Sequence, residues 1–258
     1  MKIKGIKEKV FNYESEEVDY SGIRKTDKRI AGYINAEFKP GDIIINVGAG
    51  SGSYEPDDNY VIAVEPSKAM REQRLKNGKN PAINSSAENL PFDDNSFDCS
   101  TAFLTIHHWI DLEKGLNEMK RVTRNKIIIM TYNPDELEIF WNAKYFEELV
   151  NVERMRYPKI EKVKDILKLK CEIKSIPIPK DCEDGFQEAF YGRPEKFLER
   201  KVRKAQSAWG YLENGKEEEL VERLKVELEN GEWERKYGHF RNQDFFEGAL
   251  KLLVFKKL

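Results

Sequence analysis

Short, β-rich apolar runs punctuate the first half of the chain: DIIINV (42–47), YVIAV (60–64), FDCSTAF (97–103) and NKIIIMTY (125–132). All but FDCSTAF are continuously apolar, the pattern of parallel strands covered on both faces. PSKAMREQRLKNG (66–78) and DLEKGLNEMKRVTR (111–124) carry helical spacing between and beside them. Strand and helix therefore alternate, which predicts an α/β, doubly wound parallel sheet. A helical EKVKDILKLK (161–170) leads into two later strand patterns, CEIKSIPIP (171–179) and LKLLVFKK (250–257).

The stretch between those late strands is too long for a simple crossover. RPEKFLERKVRKAQSAWGYLE and GKEEELVERLKVELENGEWERK read as two helices, with Pro194 suited to a first helical turn. Leu220, Leu224 and Leu228 recur on one helical face, and such a stripe must be covered. The expected organisation is a main domain of residues 1–180 with 249–258, its first 35 residues an N-terminal lid segment. Residues 181–248 would then be a helical cap inserted over the C-terminal strand ends, where α/β sheets place their ligands.

Composition narrows the function. Charged residues make up 35% of the 258, yet their signs nearly cancel at a net −2, and no basic stripe points to nucleic acid. No apolar run reaches the length of a membrane span, and MKIKGIKEKVFNYESEE lacks the apolar core of a signal peptide. A cytoplasmic chain with no membrane partner is expected. Cys99, Cys171 and Cys182 have no metal-type spacing, so reduced thiols and no metal are expected.

Gly48, Gly50 and Gly52 alternate in NVGAGSG, directly after a buried-strand pattern. Glycine there lets the chain turn sharply and lets a ligand approach the backbone. A dinucleotide site would want a helix opening on the glycines to carry a diphosphate. Here SYEPDDNY alone separates Gly52 from the next run, and it holds Pro56 and the acids Glu55, Asp57 and Asp58. A crossover helix hardly fits, and the local charge repels a diphosphate. The turn suits a nucleoside cofactor without phosphates and with positive charge. Glu65, at the end of the second run, is placed to accept hydrogen bonds from ribose hydroxyls.

NVGAGSG, VEPSKAM, SSAENLPFDDNSFD and LTIHHWIDLEKGLNEMKRV together resemble successive motifs of the S-adenosylmethionine-dependent methyltransferases with the seven-stranded Rossmann-like fold, small-molecule type, and within them the quinone-biosynthesis branch. The resemblance covers roughly residues 20–132. It implies a three-layer sheet of order 3-2-1-4-5-7-6 with the last strand antiparallel. It also implies S-adenosyl-L-methionine as cofactor, with S-adenosyl-L-homocysteine as product. By the same resemblance Gly48 and Gly50 lie along the cofactor's methionine part and Glu65 holds its ribose. Pro66, Ser67 and Met70 lie near the ribose and one adenine face, and Ser86, Ala87 and Glu88 border the adenine edge over Leu90 and Phe92. Backbone atoms at Phe103 and Leu104 meet the methionine ammonium. Tyr20 and Arg24 belong to a lid, with Arg24 facing the cofactor carboxylate. Two positions depart from the family pattern. Asn46 stands where an acid usually opens the glycine motif, and it can accept a hydrogen bond but brings no charge. Ser86 stands where many relatives have Asp.

An activated sulfonium asks little of the protein beyond alignment of a nucleophile and exclusion of water. His107 and His108 follow the fourth strand, and His108 is the first candidate for a general base or an acceptor-orienting donor. The other reading of the pair is a locally bonded helix start. Trp109, and Asp184, Tyr191 and Arg193 of DCEDGFQEAFYGRP, are candidates for holding a small-molecule methyl acceptor. Asp184 with Gly185 equally fits a capped turn. The expected function is methyl transfer to a small molecule. Its alternatives are a non-catalytic protein that binds S-adenosylmethionine or S-adenosylhomocysteine, and a nicotinamide oxidoreductase, which the short crossover disfavours.

Overall fold

The computed structural model describes residues 20–257. Residues 1–19 of the expected lid segment lie outside the described residues. The described chain divides into two compact units. One holds Thr26–Asn133, Arg156–Ile176 and 250–257; the other holds 20–25, Pro134–Met155 and Pro177–Ala249. The second unit thus takes in 134–155 and 20–25 as well as the stretch read from sequence as an insertion.

The strands in chain order are β1 Ile43–Val47, β2 Tyr60–Val64, β3 Ala82–Ile83, β4 Phe97–Phe103, β5 Thr123–Tyr132, β6 Lys170–Ser175, β7 Ile178–Pro179, β8 Phe245–Phe246 and β9 Leu250–Lys256. The helices are α1 Tyr20–Ile23, α2 Lys28–Asn35, α3 Lys68–Lys76, α4 Leu112–Val122, α5 Asn142–Tyr145, α6 Glu147–Arg156, α7 Ile160–Leu167, α8 Arg200–Lys204, α9 Lys216–Glu229 and α10 Glu232–Tyr237.

The first unit is built on a seven-stranded sheet of order β3-β2-β1-β4-β5-β9-β6. β9 is the seventh strand of this sheet in chain order, so the order 3-2-1-4-5-7-6 implied by the resemblance is the one observed. β1 pairs in parallel with β2 and β4, with Val47 opposite Val64 and Asn46 opposite Thr101. β9 runs antiparallel to both β5 and β6. One face of the sheet is covered by α4 and α7, whose Leu116, Met119, Val122, Val163 and Leu167 pack with Ile45, Ile127, Ile129 and Leu253. Each side chain of that kind gains about 1.5–3 kcal/mol on leaving water. Polar side chains cap the helix starts: Asp27 accepts from Arg29 N–H at α2 (2.9 Å), Ser67 from Met70 N–H at α3 (3.2 Å) and Asp111 from Lys114 N–H at α4 (3.0 Å).

No helix forms between β1 and β2. Residues 48–59 run as turns, and a buried side chain does the work of a crossover helix. Tyr54 points its ring inward, edge-on to Phe103 at 6.3 Å, while its N–H donates to Thr26 Oγ1 (3.0 Å). Pro56 and Glu55 are buried beside it.

The second unit is organised around aromatic rings. Trp141 lies edge-on to Trp233 (5.5 Å) and donates from Nε1 to Tyr191 O (2.7 Å). The first of the two helices predicted for 193–213 is broken into a turn at Pro194–Leu198, α8, and a turn at Ser207–Tyr211. Phe197 and Trp209 both meet Phe146, at 5.3 and 5.1 Å. A continuous helix would hold residues so spaced about 18 Å apart, so sharing one ring requires the breaks, at extended Glu199 and Gln206. α9 follows its leucine stripe: Leu220 and Leu224 are buried and Leu228 is half-buried. The predicted strand 171–179 also divides. β6 stays in the large sheet and β7 pairs with β8, with Pro177, which lacks an N–H, at the break. Among the described residues no helix is long and apolar enough to cross a membrane.

Candidate functional site

The carboxyl ends of β1, β2 and β4 converge on the glycine turn. Gly48, Gly50 and Gly52 take φ of +69°, +51° and +94°, a region that suits glycine. Gly48 and Ala49 N–H both donate to Val64 O (2.9 and 3.0 Å), which fastens the turn to the end of β2. Glu65, the next residue, closes it. Its Oε2 accepts from Gly50 N–H and its Oε1 from Ser67 N–H, each at 2.8 Å. A carboxylate offers about four acceptor positions, which lets this one side chain hold two backbone N–H groups at once.

The three glycines differ in what surrounds them. A Cβ at Gly48 would overlap the Thr105 hydroxyl, and one at Gly52 would press on Lys79 Cγ at 2.8 Å. A Cβ at Gly50 would meet nothing within 4 Å. The turn is therefore closed at both ends and open at its middle, beside the Glu65 carboxylate. The cations nearby are committed: Arg74 pairs with Glu55, and Lys79 with Asp57 at 3.2 Å. With no helix N-terminus behind the turn, the cradle matches a nucleoside better than a diphosphate.

Asn46 is held in a buried chain of hydrogen bonds. Its Nδ2 donates to Glu55 Oε1 (2.9 Å), and its Oδ1 accepts from Thr101 Oγ1 (3.2 Å). Glu55 in turn takes both arms of Arg74, Nη1 to Oε1 at 2.7 Å and Nη2 to Oε2 at 2.8 Å. A carboxylate absent from position 46 is thus present nine residues on, touching the same side chain.

On the expected adenine side, Glu88 Oε1 accepts from Ile110 N–H (2.9 Å) and Asp111 N–H (3.1 Å). Burial pushes the Glu88 carboxyl up, but the Asp111 N–H, the Ser86 hydroxyl and the Ile110 N–H outweigh it and leave it below the ordinary carboxylate value. Trp109 is seated against α4 where Gly115 leaves room: a Cβ there would lie 2.5 Å from Trp109 Cε3 and 3.2 Å from Ala87 Cβ. The segment 86–88 and the loop 109–111 are therefore one packed assembly, which places Trp109 beside the residues expected at the adenine edge. Met70 and Leu90 are buried, and Phe92 lies edge-on to Phe97 at 4.9 Å. Pro66 is exposed. Leu104 takes φ +50°, with its N–H on Met130 O (2.8 Å).

His107 and His108 lie at the end of β4 in the turn Ile106–His108. The His107 ring lies 4.0 Å from both His108 and Tyr157, and Tyr157 is edge-on to Tyr132 at 5.2 Å. His108 Nδ1 is 3.3 Å from Arg156 Nη2. A guanidinium only donates, so this contact puts the lone pair on Nδ1 and the proton of a neutral His108 on Nε2.

The remaining sequence candidates lie in the second unit and are engaged there. Arg24 Nε pairs with Asp184 Oδ1 at 2.6 Å. Tyr191 is buried, donates to Gln243 O (2.9 Å) and has its hydroxyl pushed up to about 12, first by burial. Arg193 donates to Cys182 O (2.9 Å) and Ala189 O (2.8 Å) and lies over the Phe190 ring. Tyr20 opens α1. Cys99 is pushed up to about 12 by burial and the nearby Asp42, which leaves it inert as a nucleophile near neutrality.

Sequence reasoning did not single out Glu55, Arg74, Thr101, Thr105, Arg156 or Tyr157. Glu55 stood out only as charge in a short connection, and Arg74 reads as an ordinary surface residue of α3.

Residues 45–130 match the family of methyltransferase domains. This chain carries a methyltransferase domain. Its sheet is that of the S-adenosylmethionine-dependent methyltransferases. A solved structure from Anabaena variabilis, described as a methyltransferase from an antibiotic biosynthesis pathway, is similar over 91% of this chain and 99% of that one, at 29% identity and a TM-score of 0.82. The chain is also similar in sequence to a demethylmenaquinone methyltransferase of Paenarthrobacter aurescens, 34% identical over 44% of this chain and 47% of that protein. An uncharacterised protein of Methanocaldococcus jannaschii is 26% identical over 60% of this chain and 63% of its own length. The chain thus spans less than two thirds of the length of these curated relatives.

Proposed function

We propose that this chain transfers the methyl group of S-adenosylmethionine to a small-molecule acceptor. The observation that carries the reading is the glycine turn, open at Gly50 and held by the Glu65 carboxylate through Gly50 N–H and Ser67 N–H. When bound, the cofactor supplies a methyl group already activated on sulfur. Gly48 and Gly50 would border its amino-acid part, and Glu65 would accept from its ribose. Pro66, Ser67 and Met70, with Ser86, Ala87 and Glu88, would flank the adenine, and backbone atoms at Phe103 and Leu104 would meet the ammonium. His108, carrying its proton on Nε2, would orient an acceptor oxygen by donation. Removing a proton from an acceptor that arrives protonated would fall to His107. The acceptor class follows the names of the relatives, among them demethylmenaquinone methyltransferases.

Calorimetry with S-adenosylhomocysteine tests the cofactor. Glu65→Ala is expected to weaken binding by about 1–3 kcal/mol, the scale of a lost charged hydrogen-bonding group. Unchanged affinity, or preferential binding of NAD, would overturn the reading. Incubation with labelled S-adenosylmethionine and a metabolite extract tests the reaction. Binding without any labelled product would favour the non-catalytic alternative.

A further inference from the structure

The chain has five threonines, and four have engaged hydroxyls. Thr26 Oγ1 accepts from Tyr54 N–H, Thr101 donates to Ile45 O and Asn46 Oδ1, Thr123 to Met119 O and Ser100 Oγ, and Thr131 to Tyr132 O. The fifth, Thr105, makes no hydrogen bond through its side chain to any described residue. Thr105 precedes the turn Ile106–His108 as its N-cap, a place where threonine ordinarily bonds a backbone N–H. In the same molecule Asp27, Ser67 and Asp111 all cap in that manner.

The hydroxyl is instead directed at the glycine turn. A side chain at Gly48 would overlap Thr105 Oγ1 and lie 3.0 Å from its Cγ2. The residue that delivers Thr105 there, Leu104, is in the left-handed region at φ +50°, a conformation that costs a branched aliphatic residue about 1–2 kcal/mol. The chain therefore accepts backbone strain at the end of β4 and forgoes a capping bond. What it gains is the hydroxyl of a half-buried residue lying against Gly48, the first residue of a turn whose middle is open. With no protein group bonded to it, this hydroxyl is available to a ligand lying along the turn.

We propose that Thr105 is a cofactor-binding residue whose hydroxyl bonds the charged amino-acid end of S-adenosylmethionine. This rests on the cofactor reading above. The hydroxyl can donate to a carboxylate or accept from an ammonium, and the nucleoside end lies toward Glu65. Thr105 thus adds a side-chain contact at the end of β4, where the sequence motifs suggest backbone contacts from Phe103 and Leu104.

The test is calorimetry on wild type, Thr105→Val and Thr105→Ser with two ligands. S-adenosylhomocysteine carries the amino-acid end; 5′-methylthioadenosine keeps the nucleoside and lacks it. Thr105→Val is expected to lose about tenfold or more in affinity for S-adenosylhomocysteine, as for a bond to a charged group, and to bind 5′-methylthioadenosine as wild type does. Thr105→Ser is expected to retain both. Thr105→Ala, which also lacks the hydroxyl and removes the contact on Gly48, supplies the same comparison if the valine variant fails to fold. Unchanged affinity for S-adenosylhomocysteine in the variants lacking the hydroxyl overturns the proposal, and so does an equal loss for both ligands. If wild type binds neither ligand, the cofactor reading itself fails and this assignment with it.

Discussion

Glu55 and Arg74 form a buried, two-armed ion pair beneath the glycine turn, with side chains 4% and 1% exposed. The pair joins the connection after β1 to α3, and through Asn46 Nδ2 it reaches the opening of the glycine motif. Removing one partner would strand the other charge in a dry site, so Glu55→Gln is expected to cost about 3–5 kcal/mol in urea unfolding. Replacing both, as Glu55→Leu with Arg74→Met, is expected to recover much of that loss. A single substitution that leaves the unfolding midpoint unchanged would show that the pair does not hold the turn.

Trp109 depends on Gly115 for its seat. Gly115→Ala would drive a methyl group into the indole ring and toward Ala87, an overpacking that costs about 1–3 kcal/mol. The near-ultraviolet circular dichroism of the tryptophan should change with it. Adding Trp109→Leu to Gly115→Ala is expected to restore stability, because the clash disappears.

Glu88 makes stability depend on acid. Its folded carboxyl lies below the ordinary value of 4.5, because the hydrogen bonds it accepts outweigh burial. Its contribution is therefore fully present above the unfolded value and is lost as pH falls through the folded one. Glu88→Gln should melt below wild type near neutrality, and the gap should shrink in acid. A gap that stays constant down to strongly acidic pH would remove Glu88 as the link between segment 86–88 and residues 110–111.

Arg156 should govern the tautomer of His108. Nitrogen-15 NMR of the labelled imidazole is expected to show wild-type His108 with its proton on Nε2. Arg156→Met should yield a mixture of both tautomers. An Nδ1–H form in wild type would mean that His108 is not oriented by the guanidinium.

Much of the sheet unit was legible in the residue order. Continuous apolar runs identify β1, β2 and β5, and their alternation with α3 and α4 identifies a doubly wound sheet, because strands covered on both faces have no polar side to show. The absent crossover helix was legible too, since SYEPDDNY is too short and too polar to form one that packs. The 193–213 segment was not. Its helical pattern is local, whereas its breaks at Glu199 and Gln206 arise because Phe197 and Trp209 share Phe146, a residue far away in the chain. At the site, Gly48, Gly50 and Glu65 were readable because turn geometry and strand ends are short-range properties.

The sequence by itself determined where six of the sheet's seven strands lie, where the glycine turn opens and which acid ends β2, since each is set by neighbours within a few residues; the two-residue β3 carries no such pattern. The tertiary structure alone decided which charges are spent and which groups remain available. Arg74 is committed to Glu55, Arg24 to Asp184 and Arg156 to His108, while the Thr105 hydroxyl is left against Gly48. The physical reason is that a hydrogen bond or ion pair is a matter of ångströms in space, and residues such as Gly48 and Thr105 come within reach only once β1 and β4 lie side by side.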